Sequence, residues 1–194
     1  NKALPWKEFE RRAACIASLL EKYGLGPGSK AGLYLHNSSE YQEAQFGIFK
    51  IGGCPINVNY RYKADELVYL LENSDAEAVF FQSCYAMRIW EIRDRLPKVK
   101  LFVQIDDNTE ALLKGAEDYE RAIRAHTPLP RRPQDPESVY MLYTGGTTGL
   151  PKGVMYPQGA FAEFFLAMGA AARELVPPQN MTAYDEFLEQ IDEP

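Results

Sequence analysis

The chain has 194 residues, an apolar content of 46%, an aromatic content of 12% and a formal net charge of −6. These values are typical of a globular protein and argue against both a disordered segment and a nucleic-acid-binding surface, which would need a basic face. No stretch approaches the roughly eighteen apolar residues of a membrane span. Cys15, Cys54 and Cys84 are spaced too widely for a zinc site or a disulfide framework, so we expect a protein of the reducing cytoplasm.

The apolar pattern predicts alternating helices and strands. Apolar residues at steps of three and four form one helix face from Trp6 to Tyr23, and Gly24 is suited to end that helix. Short apolar runs then predict strands at 31–35, 54–58, 78–81 and 101–105, with helices at 39–51, 64–73, 85–96 and 109–126. Strands of this kind that alternate with helices predict an α/β fold with a parallel sheet covered on both faces.

Prolines at positions 128, 130, 133 and 136 divide the chain. We predict an α/β subdomain at 1–127, a proline-rich linker at 128–138, and a glycine-rich loop segment with its following helix at 139–176. In that third segment a strand at 139–143 leads into the loop, a return strand follows at 154–156, and a helix covers 158–175. The acidic residues 177–194 are interpreted as a surface insertion or the start of a further segment.

Residues 143–153 read Tyr-Thr-Gly-Gly-Thr-Thr-Gly-Leu-Pro-Lys-Gly. Glycines let backbone N–H groups approach a ligand closely, and threonine hydroxyls and a lysine ammonium add further donors, a combination that suits a polyphosphate. The loop is not a Walker A loop, because Lys152 follows Pro151 and precedes Gly153, whereas that motif needs Gly-Lys-Ser/Thr. The chain also has no G-x-G-x-x-G dinucleotide fingerprint.

The stretch from Tyr143 to Val154, YTGGTTGLPKGV, closely resembles the phosphate-binding motif of the adenylate-forming enzymes, the superfamily of acyl-CoA synthetases, luciferases and peptide-synthetase adenylation domains. The run from Trp6 to Phe81 is similar to the N-terminal region of the same superfamily, so the resemblance extends to about Met168. Within the superfamily the chain most resembles bacterial fatty-acyl or sterol-side-chain CoA ligases.

This resemblance implies a reaction in two steps, with ATP, Mg²⁺ and coenzyme A. A carboxylate first attacks the α-phosphate of ATP to give an acyl-adenylate and pyrophosphate, and the thiol of CoA then displaces AMP. It also implies catalytic roles in phosphate stabilisation for Lys152 and Thr144, with Thr144 near Mg²⁺. The ATP-binding residues that it implies are Thr144, Gly145, Gly146, Thr147, Thr148, Gly149 and Lys152.

Two departures from the family pattern concern the loop and the residues after it. Gly145 replaces a serine that many relatives have, which removes one hydroxyl. Residues 155–158, Met-Tyr-Pro-Gln, replace a Thr-His pair that lies near the acyl site in many relatives, so the acyl pocket is not defined by this chain.

The family's adenine and ribose motifs, its magnesium-binding glutamate and the lysine of its C-terminal lid all follow the phosphate loop. We therefore expect this chain to be the N-terminal portion of an acyl-CoA synthetase, with a fold that is incomplete without the downstream subdomains and lid, and inactive by itself. An amino-acid or aryl-acid adenylation domain and a stand-alone phosphate-binding module remain alternatives. Homodimer formation and peripheral membrane contact are left open.

Other aromatic residues and histidines are interpreted as structural. Trp6, Phe9, Phe80, Phe81 and Trp90 are expected in the core. The side chains that follow the loop on its helix, at 161, 164 and 165, are also expected to pack, with an apolar tunnel as the alternative. His36 and His126 are expected to be ordinary surface or loop residues.

Overall fold

The computed structural model describes residues 4–145 and 150–178. Within these ranges the chain forms six α-helices and seven β-strands. The helices are α1 (Trp6–Lys22), α2 (Ser39–Lys50), α3 (Ala64–Asn73), α4 (Ala86–Ile92), α5 (Tyr119–Ala125) and α6 (Gln158–Ala171). The strands are β1 (Lys30–Tyr34), β2 (Cys54–Asn57), β3 (Ala78–Gln82), β4 (Leu101–Ile105), β5 (Glu117–Asp118), β6 (Val139–Thr144) and β7 (Lys152–Pro157).

The seven strands form one sheet in the order β5-β4-β3-β1-β2-β6-β7. Every neighbouring pair is parallel except β6 and β7, which are antiparallel. The predicted α/β fold with a parallel sheet is therefore confirmed, as is the return strand after the loop. Strand β1 lies between β2 and β3, so the chain first adds β2 on one side of β1 and then adds β3 on its other side. Such a change of direction leaves a crevice at the carboxyl ends of the strands.

Helices cover both faces of the sheet, as the continuous apolar strands predict. One buried cluster joins apolar residues of α1, α2 and α5 to one face. The other cluster joins α3 and α4 to the opposite face and includes Met141 of β6. Consecutive residues of β3 contribute to different clusters, since Phe80 belongs to the first and Phe81 to the second.

The packing of α1 against α2 involves a close approach and a partly buried ion cluster. A Cβ atom at Gly47 of α2 would lie 2.8 Å from Ile16 Cγ2 of α1, so only glycine allows this separation. Beside this contact, the guanidinium of Arg12 donates to Glu43 at 2.9 Å and to Glu120 at 2.5 Å. The hydroxyl of Tyr119 also donates to Glu43, at 2.8 Å. We call these four residues the Arg12–Glu43 cluster; they link α1, α2 and α5.

The helix predicted at 109–126 is wrong over its first half. Residues 109–116 are irregular, β5 follows, and α5 begins only at Tyr119. The buried Gln104 side chain explains this, because its amide nitrogen donates to Ala111 O and its amide oxygen accepts from Leu113 N. Gly115 then has φ = 88°, which a helix cannot accommodate.

Two other predicted helices are too long. The helix predicted at 85–96 consists of α4 with a short 3₁₀ turn on each side, and the helix predicted at 158–175 ends at Ala171. Phe80 and Phe81 are buried as expected. Trp6 and Trp90 are not in the core, since they are 84% and 48% exposed. Apolar character alone does not distinguish a core tryptophan from one at a helix end or on an outer helix face.

Residues 128–138 have no helix or strand, as the prolines predict. The segment nevertheless lies against the rest of the protein. Leu129 N donates to Ala14 O at 3.0 Å, and the Arg132 guanidinium pairs with Glu21 at 2.6 Å. The division of the chain at this segment stays a prediction, and residues 179–194 lie outside the described residues.

Candidate functional site

The β6–β7 hairpin places the glycine-rich loop at one edge of the sheet. Its pairing runs from Val139 opposite Pro157 to Thr144 opposite Lys152. Strand β6 also lies parallel to β2, with Asn57 at the end of β2 next to Leu142. The loop therefore leaves the sheet at the carboxyl ends of the parallel strands, which is the edge where α/β sheets bind ligands.

Two of the predicted phosphate-binding side chains lie opposite each other at the mouth of the loop. Thr144 ends β6, Lys152 begins β7, and both are exposed. Directly opposite residues of an antiparallel pair have Cα atoms about 5 Å apart. Among residues 4–145 and 150–178, Lys152 forms no ion pair, so its ammonium is not neutralised by a neighbouring carboxylate there. The Thr144 hydroxyl and the Lys152 ammonium thus lie on neighbouring strands at the mouth of the loop.

The structure describes only part of the predicted ATP-binding set. A Cβ atom at Gly145 would meet nothing within 4 Å, so the space around its backbone is open. Gly146, Thr147, Thr148 and Gly149 lie outside the described residues. Their roles stay predictions.

The last glycine of the motif is needed for packing in the hairpin itself. A Cβ atom at Gly153 would lie 2.9 Å from Met141 Sδ and 3.1 Å from Tyr143 Cε2. The ring of Tyr143, directly opposite in the pairing, and the side chain of Met141 therefore pack closely against a position that carries no side chain. The motif therefore combines residues suited to a phosphate with one that shapes the arms of the loop.

The sequence did not predict the contacts of α3 with both arms of the loop. The hydroxyl of Tyr69 donates to the carbonyl oxygen of Pro151 at 3.3 Å. The hydroxyl of Tyr143 donates to Asn73 Oδ1 at 2.7 Å. Tyr69 and Asn73 are four residues apart and therefore share one helix face, but only the tertiary structure shows that this face meets the loop.

Burial raises the pKa of the Tyr143 hydroxyl above its ordinary value. This group therefore remains a neutral O–H donor at neutral pH. Because it is hydrogen-bonded to Asn73, it holds the incoming arm of the loop.

The residues at 155–158, which replace the Thr-His pair, lie beyond the loop on the outgoing strand. Met155 and Tyr156 are exposed on β7. Gln158 begins α6, and its amide nitrogen donates to Gly53 O and Val139 O, both at 3.2 Å. In this chain Gln158 therefore fastens α6 to the amino ends of β2 and β6.

An apolar cleft of about 510 Å³ lies between α2, α6 and the amino end of β6. Its lining includes Phe46, Phe49, Tyr140 and Phe161. Four residues separate Tyr140 from Thr144 along β6, which corresponds to about 13 Å. The cleft is thus distinct from the phosphate loop.

The aromatic residues of α6 differ in their exposure to solvent. Phe164 and Phe165 are exposed, so the expectation that they pack is wrong for the described residues; Phe161 is half-buried.

The two histidines have polar partners near them. The Nε2 atom of His36 lies 2.6 Å from the Tyr85 hydroxyl, and Nδ1 of His126 lies 2.8 Å from Ala122 O. Both histidines have ordinary polar partners, as expected.

The described residues contain neither a metal cluster nor a membrane-spanning helix. No group of three or more His, Cys, Asp or Glu side chains at 4–145 and 150–178 is arranged to hold a metal ion. In the same part of the chain, no helix has the length and apolar character needed to cross a membrane. The three cysteines are free, with Cys15 and Cys54 buried and Cys84 exposed.

Comparison with known proteins agrees with the motif and the fold. The chain is 38% identical to the medium-chain acyl-CoA ligase Mig of Mycobacterium avium, over 95% of this chain and 36% of that protein. It is 37% identical to 3-oxocholest-4-en-26-oate–CoA ligase of Rhodococcus rhodochrous, over 80% of this chain and 29% of that protein. The chain thus spans about a third of the length of these relatives.

A solved structure of a relative has the same fold over most of this chain. The anthranilate CoA ligase AuaEII, in complex with anthranoyl-AMP, superposes with a TM-score of 0.75 and 25% identity, over 84% of this chain and 31% of that one. The AMP-binding enzyme family matches residues 1–188, nearly the whole chain. The chain therefore belongs to the AMP-binding enzyme family.

Proposed function

We propose that this chain is the N-terminal part of a longer acyl-CoA ligase and forms its phosphate-binding region. In the first step, a carboxylate oxygen of the acid attacks the α-phosphorus of ATP. The bond between that phosphorus and the bridging oxygen breaks, and pyrophosphate leaves with the electron pair. In the second step, the thiol sulfur of CoA loses its proton and attacks the acyl carbon. The bond between that carbon and the phosphate oxygen breaks, and AMP leaves with the electron pair.

One observation carries this proposal: Thr144 and Lys152 lie opposite each other at the carboxyl edge of a parallel sheet, on the two arms of the glycine-rich loop. The first step concentrates negative charge on the leaving pyrophosphate. A fixed ammonium and hydroxyl at that position stabilise the charge as it develops, which is the effect expected to contribute most to the rate.

The relatives favour a fatty acid or a sterol side-chain acid as the substrate. The two curated relatives named above are ligases of a medium-chain acyl group and of a cholestenoate. An aryl acid is the second candidate, because the solved relative is an anthranilate ligase. The higher identity of the first two supports the aliphatic class, while an amino acid has no such support.

The cofactors and the location follow from the same proposal. ATP and CoA are the co-substrates. Mg²⁺ usually binds through one or two protein oxygens together with the substrate phosphates. The exposed hydroxyl of Thr144 would be such an oxygen, and the described residues offer no all-protein cage for the ion. Three unpaired cysteines support a reducing, cytoplasmic location.

The test is carboxylate-dependent exchange of labelled pyrophosphate into ATP, measured on the complete protein with a panel of acids. Lys152→Ala should slow this exchange by about 100-fold, a typical loss for one charge-stabilising donor, while thioester formation from preformed acyl-adenylate changes little. Lys100→Ala is the matched control, since it removes an exposed ammonium, just before β4, that pairs with Glu77 at 2.7 Å.

Absence of exchange with every acid, or equal loss of both half-reactions in Lys152→Ala, would refute the assignment. The chain of 194 residues by itself should form no thioester. Thioester formation by that chain would contradict its proposed role as one part of the enzyme.

A further inference from the structure

Helix α3 contacts both arms of the phosphate loop through two side chains on one face. Tyr69 holds the carbonyl of Pro151, the residue before Lys152 on the outgoing arm. Asn73 holds the hydroxyl of Tyr143, the residue before Thr144 on the incoming arm. Each contact is therefore one residue away from a side chain that faces the phosphate site.

The hairpin needs such a support because it lies at the edge of the sheet. Among the described strands, β7 has β6 as its only neighbour. The pairing of β6 with β2 ends at Leu142, so the last part of the hairpin before the loop is two-stranded. Two-stranded ribbons twist more strongly than the interior of a sheet, so the pairing of β6 with β7 does not by itself fix the direction of the loop. Helix α3 provides a fixed reference, since Leu67, Leu70 and Leu71 anchor it in the core.

The chemistry of the two tyrosines argues against direct phosphate contact. Both hydroxyl hydrogens are already donated, one to Pro151 O and the other to Asn73 Oδ1. The ring of Tyr143 lies against Gly153, where a Cβ atom would come within 3.1 Å of Tyr143 Cε2. These groups can therefore act on ATP only through the placement of the loop.

We propose that Tyr69 and Asn73 are positioning residues that set the two arms of the loop so that Thr144 and Lys152 converge on the leaving pyrophosphate of ATP. The inference rests on the proposed function. Misplacement of a catalytic group by about 1 Å can cost on the order of 100-fold in rate, so hydrogen bonds remote from the substrate can affect the reaction.

The test compares Tyr69→Phe, Asn73→Leu and Asn73→Asp in the complete protein. Tyr69→Phe removes only the hydroxyl, and Asn73→Leu keeps the side-chain volume but removes the acceptor. Asn73→Asp keeps an acceptor for Tyr143. The matched control is Tyr23→Phe, which removes a hydroxyl that donates to Glu117 at 2.5 Å on the α1–α5 side.

The first readout separates the two half-reactions. Tyr69→Phe and Asn73→Leu should each lower kcat/KM of pyrophosphate–ATP exchange by about 3- to 10-fold, the effect of one lost hydrogen bond. Thioester formation from preformed acyl-adenylate should stay within about twofold, because pyrophosphate has already left. Asn73→Asp should keep near wild-type exchange although a carboxylate at the end of α3 lowers the melting temperature.

The second readout does not require activity. Trypsin cleaves after lysine, so cleavage between Lys152 and Gly153 in the folded chain reports the freedom of the outgoing arm. Cleavage should be faster in Tyr69→Phe and Asn73→Leu than in the wild type, and unchanged in Tyr23→Phe.

If the wild type catalyses pyrophosphate–ATP exchange and Tyr69→Phe and Asn73→Leu have the same kcat/KM, the inference is overturned and the proposed function remains intact. Equal impairment of Asn73→Asp and Asn73→Leu, or equal loss in both half-reactions, would also overturn it. Absence of carboxylate-dependent exchange in the wild type would refute the proposed function itself.

Discussion

Arg12→Met would remove the only cation that contacts the Glu43 carboxylate among the described residues. Glu43 is 1% exposed, and the Arg12 side chain is 13% exposed. Although burial acts to lower it, hydrogen bonds to Glu120 and Glu43 raise the pKa of the Arg12 guanidinium, so this group stays positively charged. Without Arg12, the Glu43 carboxylate would keep Tyr119 as its one hydrogen-bond donor.

The size of the effect follows from this burial. Breaking a buried ion pair from one side costs about 3–5 kcal/mol, because an uncompensated charge is left in the interior. The Arg12–Glu120 contact adds little, since Glu120 is largely exposed. We expect a loss of about 3 kcal/mol, the lower end of the range, because Arg12 is reached by some solvent. For a chain of this length, that corresponds to a fall of about 6–12 °C in melting temperature.

The assay is urea unfolding of the purified chain, followed by circular dichroism and by tyrosine fluorescence. Replacing the three least exposed members of the cluster by apolar groups, in Arg12→Met/Glu43→Met/Tyr119→Phe, should restore most of the lost stability, because no polar group is then left buried without a partner. A loss below about 1 kcal/mol in Arg12→Met, or a triple variant as unstable as the single one, would refute this reasoning.

Three further predictions concern pH, packing and thiol chemistry. The hydrogen bond from Arg12 lowers the pKa of Glu120, so this contribution to stability is present above the unfolded-state value of about 4.3 and is lost as pH falls below it. The pKa values of Asp75, Glu77 and Asp107 are also lowered, without a contribution from Arg12, so urea titrations from pH 6 to pH 3 should show a loss of stability in both proteins and a larger loss in the wild type than in Arg12→Met. Gly153→Ala should destabilise the chain by about 1–3 kcal/mol through overpacking, measured by thermal unfolding, and an unchanged melting temperature would contradict the clash. Burial raises the pKa of Cys54 to about 11, and burial together with Asp107 raises that of Cys84 to about 11, so at pH 8 iodoacetamide should modify both at least about 100-fold more slowly in the folded chain than in urea, as followed by mass spectrometry.

Local signals predicted most of the fold. Helix α3 and strand β4 begin and end where their apolar patterns place them, since each pattern has a single period and clear flanking residues. The helix predicted at 109–116 is absent because the side chain of Gln104, on the preceding strand β4, binds the backbone of Ala111 and Leu113. Hydrogen bonds from a side chain to the backbone leave no periodic pattern in the sequence.

The candidate site shows the same division. Thr144 and Lys152 could be predicted from the motif, because the residues that suit a phosphate lie close together in the sequence. Tyr69 and Asn73 could not, because they are 82 and 70 residues before their partners on the loop and meet them only when the sheet places β6 beside β2. A motif identifies the groups that touch a ligand, whereas the residues that aim them depend on topology.

The outer side of β7 has a consequence for how the isolated chain behaves in solution. In the described part of the structure, this strand ends the sheet and carries exposed apolar side chains at Val154, Met155 and Tyr156. An uncovered edge strand has unpaired backbone N–H and C=O groups that can form hydrogen bonds with a strand of another molecule. Two copies of the chain are thus expected to associate through β7 at high concentration, and yield and solubility of the isolated chain depend on how that edge is covered.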